Sequence, residues 1–311
     1  MSSAPSASGQ VRPASVTKTR PMTAQPPQPR PFGIIALDLD GTLLDDRGAI
    51  SPADADALVR FTRSGGIVVF ASGRMTDNIT PFYDFLAIDG PTIGYNGAMA
   101  REPRSSGGRV ILESALSAPY ADALIDYTRR ERFQLNYYLS EKLYARDDPE
   151  LRRLADLYSR QTGAVFRFVT DLEQFRGREP TKLIIVTDPT VPGQPDPRHR
   201  DELYEVWQAR WGSEVTVMRT NPEYLEFYSL AASKGTALAA VARHYEVDQA
   251  LTLAFGDNHN DASMLSWAGC GVAVSNAQTE VQKLADWVSP LTNNESAVAD
   301  AIDRLVAPGL G

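Results

Sequence analysis

A chain of 311 residues, 43% hydrophobic and 23% charged, is long enough for a sizeable core and for about two domains, and its composition excludes a fibre or a wholly disordered chain. A formal charge of -8 argues against a duplex nucleic-acid binder, which needs a basic face, and no run reaches the roughly 18–20 apolar residues of a membrane span. The single cysteine, Cys270, excludes an intramolecular disulfide, and its apolar Gly-Cys-Gly-Val-Ala-Val setting suits a small buried side chain, so a reducing, cytoplasmic compartment is expected.

Residues 1–31 hold seven of the 21 prolines, four basic residues (Arg12, Lys18, Arg20, Arg30) and no acid. Such a stretch buries too little apolar surface to offset its ordering entropy, so a disordered tail is expected, without the apolar core of a secretory signal. Taking its +4 from -8 leaves -12 on residues 32–311, so the folded part is acidic.

The run Ile34-Ile35-Ala36-Leu37 reads as a buried strand that ends in Asp38-Leu39-Asp40-Gly41-Thr42. Alternation would put Asp38 and Asp40 on one side of the backbone, and two acids so close to an apolar core need a cation, a proton or strong hydrogen bonds. An acidic turn with no chemistry is the plainer reading of this segment alone. Ser51-Pro52 then opens a helix with Ala57, Leu58 and Phe61 on its apolar face, closed by Gly65-Gly66. A second strand over 67–71 leads into Ser72-Gly73-Arg74, and a third over 91–95 leads into Asn96-Gly97-Ala98, with a helix through Phe82 and Phe85-Leu86 between them. Strand-helix-strand alternation predicts parallel crossovers with helices covering the sheet.

From 99 to 220 the pattern changes. Strand-like runs at 110–113, 133–139, 142–146, 164–170, 181–187 and 214–219 alternate with helical segments near 117–131, 148–161 and 197–211. The 133–139 and 142–145 runs are joined only by Ser140-Glu141, which predicts an antiparallel hairpin and a separate α+β layer. The proline-rich 188–197 stretch reads as an exposed connection. From 221 the first style returns: Ser233-Lys234-Gly235 opens a helix, a strand over 251–255 ends in Gly256-Asp257-Asn258-His259-Asn260-Asp261, and strands at 271–274 and 287–288 and a helix over 295–306 close the chain. The fold class is therefore α/β, a Rossmann-like doubly wound parallel core (32–98 and 221–311) with an inserted α+β cap (99–220).

Four polar clusters fall just after apolar strands or at a helix start: Asp38/Asp40, Ser72, Lys234, and Asp257/Asn260/Asp261. Strand ends of a parallel sheet converge on one edge, so these residues can share a site. Oxygen-only ligation by a few acids suits Mg²⁺, which keeps waters and shares phosphate oxygens. A lysine at the positive end of a helix is unfavourable unless an anion sits there. The set reads as a phosphoryl site.

Asp38-Leu-Asp40-Gly-Thr42, Ser72-Gly73-Arg74, Ser233-Lys234-Gly235 and Gly256-Asp257-Asn-His-Asn260-Asp261, in that order and each behind a strand or opening a helix, resemble the four motifs of haloacid dehalogenase (HAD) superfamily phosphatases. Asn96-Gly97-Ala98 before a long insertion resembles the Cof-type branch, subclass IIB. The resemblance covers about 33–306. It implies a Mg²⁺-dependent phosphomonoester phosphatase acting on a small-molecule phosphate ester (a sugar phosphate, flavin mononucleotide or pyridoxal phosphate type) through an aspartyl-phosphate. By it Asp38 is the nucleophile, Asp40 the general acid/base, and Asp38, Asp40 (through its main-chain carbonyl) and Asp257 the metal ligands. Ser72, Lys234 and Asn260 bind the phosphoryl group, with Asp261, Gly73 and Arg74 supporting from behind. A phosphosugar mutase of the same fold and a non-catalytic binding protein are the alternatives.

Several residues carry two readings. Ser72 caps a helix or binds phosphate; Arg74 reaches substrate or pairs with an acid; Lys182 starts a strand or contacts substrate. His259 reads as an accessory or surface group. Tyr137, Tyr138 and Tyr144 pack into a sheet or against a substrate ring.

Overall fold

The computed structural model describes residues 25–187, 197–220 and 223–307. The expected tail up to residue 24 and the proline-rich connection at 188–196 lie outside the described residues. Along the chain β1 (Ile34–Leu37), α1 (Pro52–Arg63), β2 (Ile67–Ala71), α2 (Thr80–Leu86), β3 (Thr92–Gly94), β4 (Met99–Arg101) and β5 (Val110–Glu113) come first. Then follow α3 (Ala118–Glu131), β6 (Gln134–Leu139), β7 (Lys142–Arg146), α4 (Arg152–Thr162), β8 (Phe166–Val169), β9 (Lys182–Val186), α5 (Pro197–Trp211), β10 (Val215–Arg219) and β11 (Tyr224–Ser229). The last elements are α6 (Lys234–His244), β12 (Thr252–Gly256), α7 (Ala262–Trp267), β13 (Cys270–Ala273), α8 (Thr279–Gln282), β14 (Trp287–Val288) and α9 (Ala297–Leu305).

The first sheet has the order β14-β13-β12-β1-β2-β3-β4-β5, parallel from β14 to β3 and antiparallel at β4 and β5. Its two faces follow from alternation within the apolar strands. Ile35 and Leu37 pack with Leu58, Phe61 and Ile302 of α1 and α9, while Ile34 and Ala36 pack with Leu238, Val241 and Leu265 of α6 and α7. The predicted N-cap holds: Ser51 Oγ accepts from Asp54 N at 3.1 Å, and Asp54 Oδ1 in turn accepts from Ala299 N at 2.7 Å, tying α1 to α9.

The second sheet has the order β10-β11-β9-β6-β7-β8, antiparallel except for the β7–β8 pair. The predicted hairpin is β6–β7, in register Leu139↔Lys142 across Ser140 and Glu141, both at positive φ (51° and 59°). One face, with Leu135, Tyr137, Leu183, Ile185 and Phe227, packs on α3 and on Trp207 and Trp211 of α5. On the other face Tyr138, Ile184, Val186 and Tyr228 join Leu154 and Tyr158 of α4, and also Tyr95, Ala98 and Met99 from the first layer. This face therefore lies over the carboxyl ends of β1, β2 and β12.

Sheet membership corrects both expected borders of the insertion. β4 and β5 stay in the first sheet, paired antiparallel behind β3, so the second layer begins after Glu113 and not at 99. β11 sits between β9 and β10, so the return to the first layer comes after Ser229 and not at 221. β4 has only three residues and β11 mixes Glu226 with aromatic residues. Neither offers a clean alternation to read.

Candidate active site

Asp38 follows β1 directly, its N–H donating to Phe255 O at 3.1 Å and the residue only 6% exposed. Lys234, the first residue of α6, is completely buried and donates from Nζ to Asp38 Oδ1 and to Asp261 Oδ1, both at 2.5 Å. The second oxygen of Asp261 accepts the N–H groups of Asp257 and Asn258 at 3.0 Å each. Thr42 Oγ1 donates to Asp257 Oδ1 at 2.8 Å, and Asn276 Nδ2 holds the Gly41 carbonyl at 2.8 Å. Asp38, Asp257 and Asp261 each bring a carboxylate oxygen to within 4.8 Å of the others.

Three carboxylates around one ammonium leave an excess of negative charge in a dry site. Burial raises the Asp38 pKa well above its ordinary value, and the charges of Asp261 and Asp257 add to this against the pull of Lys234. Asp257 is raised too, first by burial and then by Asp261, against its hydrogen bond from Thr42. Burial alone would lower Lys234, but Asp261 and Asp38 raise it above an ordinary lysine, so it stays charged. An all-oxygen set carrying uncompensated charge fits a hard divalent cation. Both Asp261 oxygens are already committed, which leaves Asp38 and Asp257 as the carboxylates for such an ion.

Asp40 behaves differently from Asp38. The strand stops at Leu37 and the chain turns at Gly41 (φ 85°), so the expected alternation does not reach these two acids. Asp40 is exposed and takes a two-pronged contact from Arg74, Nε to Oδ2 at 2.9 Å and Nη2 to Oδ1 at 2.5 Å. Arg74 thus pairs with an acid of the site itself. Ser72 is buried, with its Oγ accepting from Arg74 N at 3.2 Å. A Cβ on Gly73 would sit 3.0 Å from Asn96 Oδ1, so the small residue lets that amide close in.

A cavity of about 560 Å³ opens between the layers. The first layer contributes Asp38, Asp40, Ser72, Arg74, His259 and Asn260 to its wall, and the second Tyr138, Tyr158, Lys182, Thr220, Tyr224 and Glu226. Lys182 Nζ donates to Glu226 Oε2 at 3.2 Å and to Tyr228 Oη at 3.3 Å and lies 5.0 Å from the Tyr138 ring centroid. Of the three tyrosines singled out, only Tyr138 lines the cavity; Tyr137 and Tyr144 pack on Phe175 on the far side of the sheet. His259 is exposed at the rim. Thr42, Asn276, Glu226, Tyr228 and the Asn96 side chain escape the sequence reading. Asn96-Gly97 after a strand is a visible turn signal, but Glu226 and Tyr228 sit on β11, whose mixed pattern predicts no strand.

The chain matches the haloacid dehalogenase-like hydrolase family over residues 35–302. It is 30% identical over 280 residues to the protein YxeH of Bacillus subtilis (strain 168), covering 88% of this chain and 98% of that one. It is 28% identical to YitU of the same organism, a 5-amino-6-(5-phospho-D-ribitylamino)uracil phosphatase, with 86% and 94% of the two chains covered. The crystal structure of TM0651 from Thermotoga maritima superimposes with a TM-score of 0.77 at 31% identity, covering 90% of this chain and all (100%) of that one.

Proposed function

Because this chain belongs to the haloacid dehalogenase-like hydrolases, in their Cof-type branch, and is a phosphatase of phosphate monoesters, we propose that it works through an aspartyl-phosphate on Asp38 with Mg²⁺ as its metal. The observation that carries this reading is a buried Asp38 at a strand end, sharing a fully buried Lys234 with Asp261 and lying beside Asp257. Asp38, Asp257 and the Asp40 carbonyl would hold Mg²⁺. When bound, the ion supplies positive charge that offsets the phosphoryl oxygens as they approach Asp38.

An Asp38 carboxylate oxygen attacks phosphorus, and the ester P–O bond breaks as Asp40 gives its proton to the leaving oxygen. Asp40 then takes a proton from the water that attacks the aspartyl-phosphate, and inorganic phosphate leaves. Lys234, Ser72 and Asn260 hold the transferring oxygens. Asp40 can act as an acid only when Arg74 lets go of it, and an arriving phosphate ester offers Arg74 another anion. The second layer acts as a cap that excludes bulk water and selects the leaving group. A 560 Å³ cavity has room for the leaving group as well as the phosphate, in keeping with a sugar phosphate, flavin mononucleotide or pyridoxal phosphate type of metabolite, or the ribitylamino-uracil phosphate of the YitU relative. No helix among the described residues is long and apolar enough to cross a membrane; with one buried cysteine, a cytoplasmic setting fits.

The test is phosphate release from these esters and from 4-nitrophenyl phosphate, with and without Mg²⁺, beside Asp38→Asn. Metal-dependent release that Asp38→Asn lowers by at least roughly a thousandfold supports the covalent route. An isomerised sugar phosphate with little free phosphate would mark a mutase instead.

A further inference from the structure

Asn260 is asked to donate to a phosphoryl oxygen, and its amide is held by a line of buried groups that starts in the other layer. Glu226 on β11 accepts from Lys182 and from Tyr228 Oη. Tyr228 Oη accepts from Asn96 Nδ2 at 3.1 Å, and Asn96 Oδ1 accepts from Asn260 Nδ2 at 2.9 Å. Glu226, Tyr228 and Asn96 are all buried.

The direction of every bond in this line follows from its first member. A carboxylate only accepts, so the single hydrogen of Tyr228 goes to Glu226 and its lone pairs face Asn96 and Lys182. Asn96 must then give its NH₂ to Tyr228 and turn its oxygen to Asn260. Asn260 must present Nδ2, with its second N–H left over. Its own Oδ1 is buried without a hydrogen-bond partner. Turning the amide over would set its oxygen against Asn96 Oδ1 and lose the bond to it, so the line holds Nδ2 toward Asn96 although Oδ1 goes unpaired. The orientation is imposed along the line, not by the surroundings of Asn260. The backbone of Asn96 is fixed as well: it lies in the left-handed region (φ 54°, ψ 29°), its N–H donates to Ser72 O at 3.1 Å, and Gly73 is small enough to admit its side chain.

We propose that Asn96 and Tyr228 are positioning residues that transmit the placement of the Lys182–Glu226 pair across the interlayer gap to Asn260, holding its amide nitrogen toward the phosphoryl group. This rests on the reading of Asn260 as a phosphate-binding group. When the upper layer is seated the line is complete and Asn260 is set as a donor. When the layer lifts, Tyr228 leaves Asn96, and the Asn260 amide is free to turn over.

A double-mutant cycle tests it. Asn96→Gly removes the amide while suiting the positive φ, Tyr228→Phe removes only the hydroxyl, and each is measured alone and combined with Asn260→Ala. The readouts are kcat/KM for 4-nitrophenyl phosphate and the inhibition constant of inorganic phosphate. Each single variant is expected to lower kcat/KM about tenfold, the worth of one well-placed hydrogen bond, and to weaken phosphate inhibition by a similar factor. In the Asn260→Ala background the further loss should be under about threefold, because the positioned group is gone. Equal losses in both backgrounds, or unchanged phosphate inhibition, would overturn the proposal. Should Asn96→Gly fail to fold, Tyr228→Phe carries the cycle, since its ring still fills the core. If the native protein releases phosphate from no ester, the phosphatase reading fails separately, and calorimetric binding of inorganic phosphate to the same variants decides whether the positioning line stands.

Discussion

Asp38 and Lys234 show how one residue pair sets both chemistry and stability. The folded-state pKa of Asp38 lies above its unfolded value, with burial first and Asp261 and Asp257 adding. Between the two values the folded state binds more protons than the unfolded one, so the stability contributed by Asp38 is present at low pH and is lost as pH rises through that window. Metal-free protein should therefore lose stability on going from about pH 4 upward in this term, and excess Mg²⁺ should restore it, because an ion needs the ionised carboxylates and releases their protons on binding. Urea unfolding across pH, with chelator and with Mg²⁺, measures both slopes; identical slopes would count against metal binding at Asp38 and Asp257. At this scale the sequence was informative: Asp38, Asp40, Ser72, Lys234, Asp257, Asn260 and Asp261 all stand at one sheet edge. It was silent on who touches whom. Nothing in the order of residues says that Thr42 reaches Asp257 across 215 positions or that Arg74 engages Asp40.

The strands and helices were legible wherever apolar periodicity ran for four residues or more. β1, β2, β12 and the β6–β7 hairpin fall where the pattern puts them, because each is bounded by glycine, proline or a two-residue turn. β4 is not legible because a three-residue strand has too little pattern, and β11 because Glu226 interrupts its apolar face for a polar contact with Lys182. The start of α6 depends on a neighbour that sequence shows only as a turn. Gly97 has φ 95°, and a Cβ there would come within 2.1 Å of the Ser233 carbonyl group. Gly97→Ala should therefore push the first turn of α6 away and take Lys234 with it. The expected cost is about 3 kcal/mol of stability by overpacking and backbone strain, with phosphate release falling at least tenfold in parallel. Chemical denaturation and an activity assay check this together; a loss of activity without a loss of stability would show that Gly97 acts in some other way.

The two layers are held in place at more than the active site. Glu141, at the tip of the β6–β7 hairpin, reaches into the first layer, where its Oε2 accepts from Thr76 Oγ1 and from Arg101 Nη1, the latter at 3.0 Å. Thr76 lies four positions after Ser72, so the hairpin tip seats the upper layer on the loop that carries Ser72. Glu141→Ala should weaken this seat by about 1 kcal/mol after allowance for partial exposure. Amide hydrogen exchange should then quicken across 134–146 and around Thr76, and KM should rise a few-fold with Tm nearly unchanged. Exchange unchanged in both segments would show that the contact does not secure the layer.

The connections between the layers are short. Only residues 114–117 lead from β5 to α3, and only 230–233 lead from β11 to α6. Four residues reach at most about 14 Å when fully extended. The upper layer is on a double leash, and at both connections its edge stays within that reach of the first layer. Reclosing is a first-order event whatever the protein concentration. Since the second leash ends on Ser233, any shift of the upper layer acts on the residue just before Lys234.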